Sequence, residues 1–164
     1  MSATARGAGT AKTPIQIATL AVGAVFLLVG VLGFVPGVTT NYDSMTAAGH
    51  HSNAMLLGLF NVSVLHNVVH LLFGVAGLLM ARSASLARTY LIGGGVIYLV
   101  LFVYGLVVNH DSPANFVPLN TADNWLHLVL ALGMIGLGLL LGSRASRTTG
   151  TATRATAERE GRVQ

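Results

Sequence analysis

Two histidines one helical turn apart, His66 and His70, interrupt an otherwise apolar run, NVSVLHNVVHLLFGVAG, at positions 61–77. Ionisable side chains at bilayer depth are costly, and they mark either a functional site or a tightly satisfied polar contact. Imidazoles at i and i+4 share one helix face, which is metal-ligand spacing, and a third ligand from a facing helix completes a His-rich site. His127, in a later apolar run, is that third residue. Asp123 stands one turn before it, at i, i+4 reach. His66, His70 and His127 are therefore the candidate cofactor ligands, and the same three with Asp123 are the candidate metal ligands. The matching cofactors are a divalent metal or haem b, since one histidine from each of two helices can clamp a haem iron. The segment HNVVH lacks the glutamate that serves as base in zinc proteases. A reading without any ligand has the imidazoles bonded to Ser63, Asn67, Tyr104 or Asp123, pinning a bundle. No Ser–His–Asp arrangement, phosphate loop or dinucleotide turn accompanies them, so the expectation leans away from an enzyme.

The composition says what must position these residues. The chain has 164 residues, 53% hydrophobic and only 9% charged, with mean hydropathy +0.71. Soluble domains carry roughly a quarter charged residues, so a water-facing surface cannot be built from this chain. With no cysteine, thiolate metal sites, iron–sulfur clusters and disulfides are excluded.

About 20 helical residues cross the roughly 30 Å hydrocarbon layer, and four runs qualify, at about 15–35, 61–81, 89–108 and 122–142. The first is longer than the 7–15 apolar residues of a signal peptide, so it reads as an uncleaved helix ended by Pro36 and Gly37. The apolar segment of the second begins at Asn53 and is too long for the membrane core. Its first part, NAMLLGLF, is placed at the interface, or the helix tilts. Thr121 reads as the N-cap of the fourth run, with Asp123 in its first turn. Residues 1–14 read as a disordered arm and 143–164 as a disordered basic tail. The expected fold is all-α, a four-helix transmembrane bundle over 15–142. No internal repeat is evident in the sequence.

Charge placement gives the orientation. All nine Lys and Arg fall in the N-terminal arm, the 82–88 turn and the C-terminal tail, which four crossings place on one side. The positive-inside rule makes that side the cytoplasm, so the bundle is expected N-in and C-in. The pI near 10.1 is then a topology signal, and no nucleic-acid partner is expected. Counting from Arg82, Arg144 and Arg88 at 1.5 Å per residue puts His66, His127 and Tyr104 at one level, about 25 Å from the inner boundary. His70 lies one turn deeper. Ser63, His66, His70, Gly74 and Gly77 form one helix face, and His127, Ala131, Met134, Gly138 and Gly142 form another. Two such stripes, histidine above and small residues below, suit a shared interior.

The segments GVLGFVPGVTTNYD, AGHHSNAMLLGLFNVSVLHNVVHLLFGVAGL and ANFVPLNTADNWLHLVLALGMIGLG resemble a bacterial membrane family labelled domain of unknown function 4383. The likeness covers Ile15–Gly142 and is most specific at GHHS, VLHNVVHLLFG and TADNWLH. The resemblance implies a four-helix bacterial inner-membrane protein without an assigned activity. Three function classes follow from the residues. The first is a structural or accessory protein with a histidine-pinned interior, acting as a homo-oligomer or with a membrane partner protein. The second is a haem- or metal-binding redox component using His66, His70 and His127. The third is an oligomeric channel or a small-solute or proton transporter.

Overall fold

The computed structural model describes residues 11–160, and four helices account for most of them. Helix α1 spans Pro14–Leu32 and α2 Val64–Met80. Helix α3 spans Ala84–Val107 and α4 Thr121–Glu160. Three stretches are long and apolar enough to cross a membrane: Pro14–Leu32, Ala84–Val107 and Thr121–Gly142. Helix α2 is equally apolar in character but has 17 residues, about 26 Å at 1.5 Å per residue. Large apolar side chains such as Leu72, Val100, Leu132 and Leu140 point outward, as they do where lipid replaces water around a bundle.

Local chemistry sets each boundary, and in several places it moves the boundary expected from hydropathy. Pro14 occupies the first turn of α1, where its missing N–H costs nothing. Gln16 Oε1 accepts the Thr13 N–H at 2.9 Å, while Gln16 Nε2 donates to the Ala81 carbonyl at 3.0 Å. One side chain thus closes the start of α1 and ties it to the end of α2. Helix α1 stops at Leu32 rather than Val35, because the chain tightens into i→i+3 bonds from Phe34 to Val31 and from Val35 to Leu32. Ser63 Oγ caps α2 by accepting the His66 N–H at 3.2 Å, so the helix begins at Val64 rather than Asn61. Ser83 caps α3 in the same way, through the Leu86 N–H. For α4 the cap is Asn120 rather than Thr121: its Oδ1 accepts the Asp123 N–H at 3.0 Å. The α4 backbone also continues as helix past Gly142 to Glu160, through most of the stretch expected to be a disordered tail. The remainder of that tail and the first ten residues of the arm lie outside the described residues.

The chain between α1 and α2 is not the plain polar loop its composition suggests. It folds into a small antiparallel sheet of β1 Thr39–Thr40, β2 Met55–Leu56 and β3 Phe60–Asn61, in that order. In the three-residue loop between β2 and β3, Leu57 and Gly58 both have positive φ, at 56° and 67°. Ala54, Leu56 and Val62 bury themselves against Val29, Leu32 and Val38, so the sheet caps the C-terminal end of α1. The tip residues Leu57 and Leu59 stay exposed. Asp123 Oδ2 accepts the backbone N–H of Asn61 and of Asn120, each at 3.0 Å. It thereby clasps the sheet to the start of α4. Asp123→Ala leaves two backbone donors without that acceptor, at about 1–3 kcal/mol. The expected result is a lower melting temperature in detergent and faster amide exchange at Asn61, with Asp123→Asn retaining most of the stability.

The helices pair as two hairpins, α1 on α2 and α3 on α4, and the hairpins repeat each other contact for contact. In constant register, Gly23, Phe26 and Gly33 of α1 correspond to Gly95, Tyr98 and Gly105 of α3. Ser63, Asn67, His70, Gly74 and Gly77 correspond to Asn120, Asn124, His127, Ala131 and Met134. A Cβ on Gly23 would crowd the Gly74 carbonyl and Leu78 N. One on Gly95 would crowd the Ala131 carbonyl and Ile135 N. Gly33 leaves a notch filled by the Asn67 amide, and Gly105 one filled by Asn124; in both, a Cβ would sit 2.1 Å from Oδ1. Phe26 meets His70 edge-on at 5.6 Å and 65°, and Tyr98 meets His127 at 5.2 Å and 63°. The equivalent rings Phe26 and Tyr98 stack on each other at 5.4 Å and 11°, which puts the pseudo-twofold axis between them. The bundle is therefore an internal repeat of one helical hairpin, seen in conserved contacts and hidden in the sequence by unequal loops.

Candidate functional site

The four residues singled out for chemistry do not form one cluster. His66, His70 and His127 are all buried and face the bundle interior, as the stripes on the second and fourth runs require. The His66 and His70 rings lie against each other, centroids 4.1 Å apart and tilted 35°. Asp123 is buried too, but both its hydrogen bonds go to the backbone clasp at Asn61 and Asn120, so its i, i+4 relation to His127 produces no bond. Among the described residues no three His, Cys, Asp or Glu side chains gather closely enough to hold a metal ion.

Hydrogen bonds assign the tautomers. His70 Nδ1 lies 2.9 Å from the His66 carbonyl, which can only accept, so Nδ1 carries the proton. His70 Nε2 is then a lone pair, and the Tyr98 hydroxyl donates to it at 3.4 Å. His66 Nδ1 donates to Asn67 Oδ1 at 3.4 Å, leaving its Nε2 as an acceptor. His127 differs: among the described residues its buried Nδ1 has no partner, whereas the Nδ1 of His70 bonds the carbonyl one turn back. The residue equivalent to Tyr98 is Phe26, which has no hydroxyl to offer the Nε2 of the second histidine.

Of the partners expected for the imidazoles, Asn67 serves as such. Ser63 binds a backbone N–H of His66 instead, and Tyr104 donates to the Ala114 carbonyl in the loop between α3 and α4. Tyr98 is the partner that sequence reasoning missed. Helix α3 is apolar around its whole circumference, so no face could be chosen for it, and only the spacing of Tyr98 to Gly105, matching Phe26 to Gly33, carried a signal.

A cavity of about 280 Å³ opens beside this layer, with His66, His70, Tyr98 and His127 on its inner wall and Phe73 below. Phe116 and Val117, from the loop between α3 and α4, line its end nearest that loop. Val69 and Ile97, 38% and 48% exposed, line its side between α2 and α3. It therefore opens sideways between the two helices, past apolar side chains. An engineered cavity of about 150 Å³ accepts benzene, so this volume has room for one substituted ring. His70 has no free lone pair in this arrangement, and metal or haem ligation through it requires Tyr98 to let go.

Comparison with curated proteins and with solved structures returns no match. A family model matches residues 16–140, from the first turn of α1 to the last turns of the Thr121–Gly142 stretch, covering both hairpins and the sheet between them. The chain belongs to the family described as Domain of unknown function (DUF4383).

Proposed function

We infer that this chain is a structural or accessory multi-pass membrane protein whose histidine–aromatic layer locks two helical hairpins together. The observation that carries the reading is His70, with both ring nitrogens satisfied, one by its own helix and one by Tyr98 of the other hairpin. Between helices in lipid there is no hydrophobic drive, so packing and interhelical hydrogen bonds decide association. A polar pair at the pseudo-twofold axis fixes which faces meet, as buried polar residues fix register elsewhere. The charge distribution supports N-in, C-in insertion in a bacterial plasma membrane. The apolar outer faces leave room for a homo-oligomer or a partner protein within the bilayer.

Tyr98→Phe tests this directly. It removes one hydroxyl and keeps the stack on Phe26, so the expected loss is about 0.5–1 kcal/mol. That loss is read from thermal unfolding in mild detergent. If His70 instead ligated haem or metal, purified protein would carry a Soret band or stoichiometric metal that disappears with His66 or His70. That result would replace the structural reading with the redox one.

A further inference from the structure

We propose that the cavity between α2 and α3 is a binding site for a membrane-dissolved molecule bearing one hydroxylated aromatic ring, of the phenol or hydroquinone class. The repeat isolates what is special about this face. Four polar side chains stand on its wall, His66, His70, Tyr98 and His127, and the repeat equivalents of the first three are Asp123, His127 and Phe26. The inner wall thus offers a lone pair at His66 Nε2, which has no partner among the described residues, its proton being committed at Nδ1 to Asn67. His127, 97% buried and on the same wall, keeps Nδ1 without a partner. An unpaired buried polar atom is rare and calls for an explanation such as a ligand. A ligand that supplies a donor to His66 must carry O–H or N–H, and one that enters through Val69 and Ile97 from among acyl chains must be uncharged. Phe73 and Tyr98 supply ring faces and edges for an aromatic body. The volume holds one ring, and an apolar tail would leave through the lateral opening.

Duroquinol, durene and duroquinone share four ring methyls and differ in two hydroxyls, none, or two carbonyls. Full-length protein labelled with ¹⁵N-histidine is titrated with each in lipid nanodiscs. Duroquinol is expected to shift the His66 Nε2 resonance and to bind roughly tenfold more tightly than durene, the size of one hydrogen bond to an otherwise unpartnered nitrogen. Duroquinone, an acceptor only, is expected to bind no better than durene. His66→Phe should abolish the preference for duroquinol. Ile97→Trp, at the exposed rim, should block all three probes without touching the inner wall, and it decides the matter if His66→Phe does not fold. Three results would overturn the site: no binding, durene or duroquinone equal to duroquinol, or a folded His66→Phe or Ile97→Trp variant that binds duroquinol like the parent. None of these depends on whether Tyr98→Phe changes the melting temperature.

Discussion

His70→Ala lowers the stability of the bundle by about 3 kcal/mol. The ring packs edge-on against Phe26 and lies against His66, so its loss opens a void among buried groups. Large-to-small core changes cost about 2–5 kcal/mol, and the lower half of that range applies because lipid reduces the transfer contribution. Two polar groups then add to it. The Tyr98 hydroxyl loses its acceptor at 3.4 Å, and the His66 carbonyl loses its side-chain donor. The measurement is thermal or denaturant unfolding in mild detergent, with His51→Ala as the control because His51 is exposed in the segment between α1 and α2. Equal stability of His70→Ala and parent would remove the basis for a pinned interior.

Gly77→Ala is expected to be comparably damaging for a different reason. A Cβ there would lie 2.9 Å from Gly23 Cα and 2.9 Å from the Tyr90 ring. The first of these is backbone, so α1 and α2 must separate, and overpacking of that kind costs about 1–3 kcal/mol. Separation also pulls on the Tyr90 hydroxyl, which donates to the Phe73 carbonyl at 3.0 Å. Gly93→Ala supplies the contrast. Nothing lies within 4 Å of that Cβ position, and replacing a mid-helix glycine by alanine stabilises by about 0.5–1 kcal/mol. Opposite signs for the two variants in one unfolding assay are the expected outcome. Equal effects would mean that α1 and α2 do not approach at Gly23 and Gly77.

Periodicity made part of this architecture legible. Ser63, His66, His70, Gly74 and Gly77 recur at helical spacing, as do His127, Ala131, Met134, Gly138 and Gly142, and all ten are buried. The GGG stretch at 93–95 reads as a place of close approach, and Gly94 and Gly95 serve that purpose against Met134 and Ile135 while Gly93 faces open space. Three things were not legible. In lipid the outward face is as apolar as the inward one, so hydropathy alone cannot orient α3, and Tyr98 stayed unassigned. The repeat was masked because equivalent positions keep a contact rather than a residue type. Ser63 and Asn120 both cap a helix, and Gly74 and Ala131 both accept a glycine from the paired helix. The sheet at 39–61 was hidden for a third reason. Its strands are two residues each, too short to show alternation.

Solid-state NMR in lipid bilayers reaches the pairing of the two hairpins without mutating it. Protein carrying ¹³C-tyrosine and ¹⁵N-histidine should give a through-space correlation between the Tyr98 ring and His70 Nε2, as a hydroxyl 3.4 Å away requires. His70 should appear as the neutral tautomer protonated at Nδ1. A His70 ring that instead correlates with acyl-chain protons and shows no contact with Tyr98 would contradict the inward histidine layer.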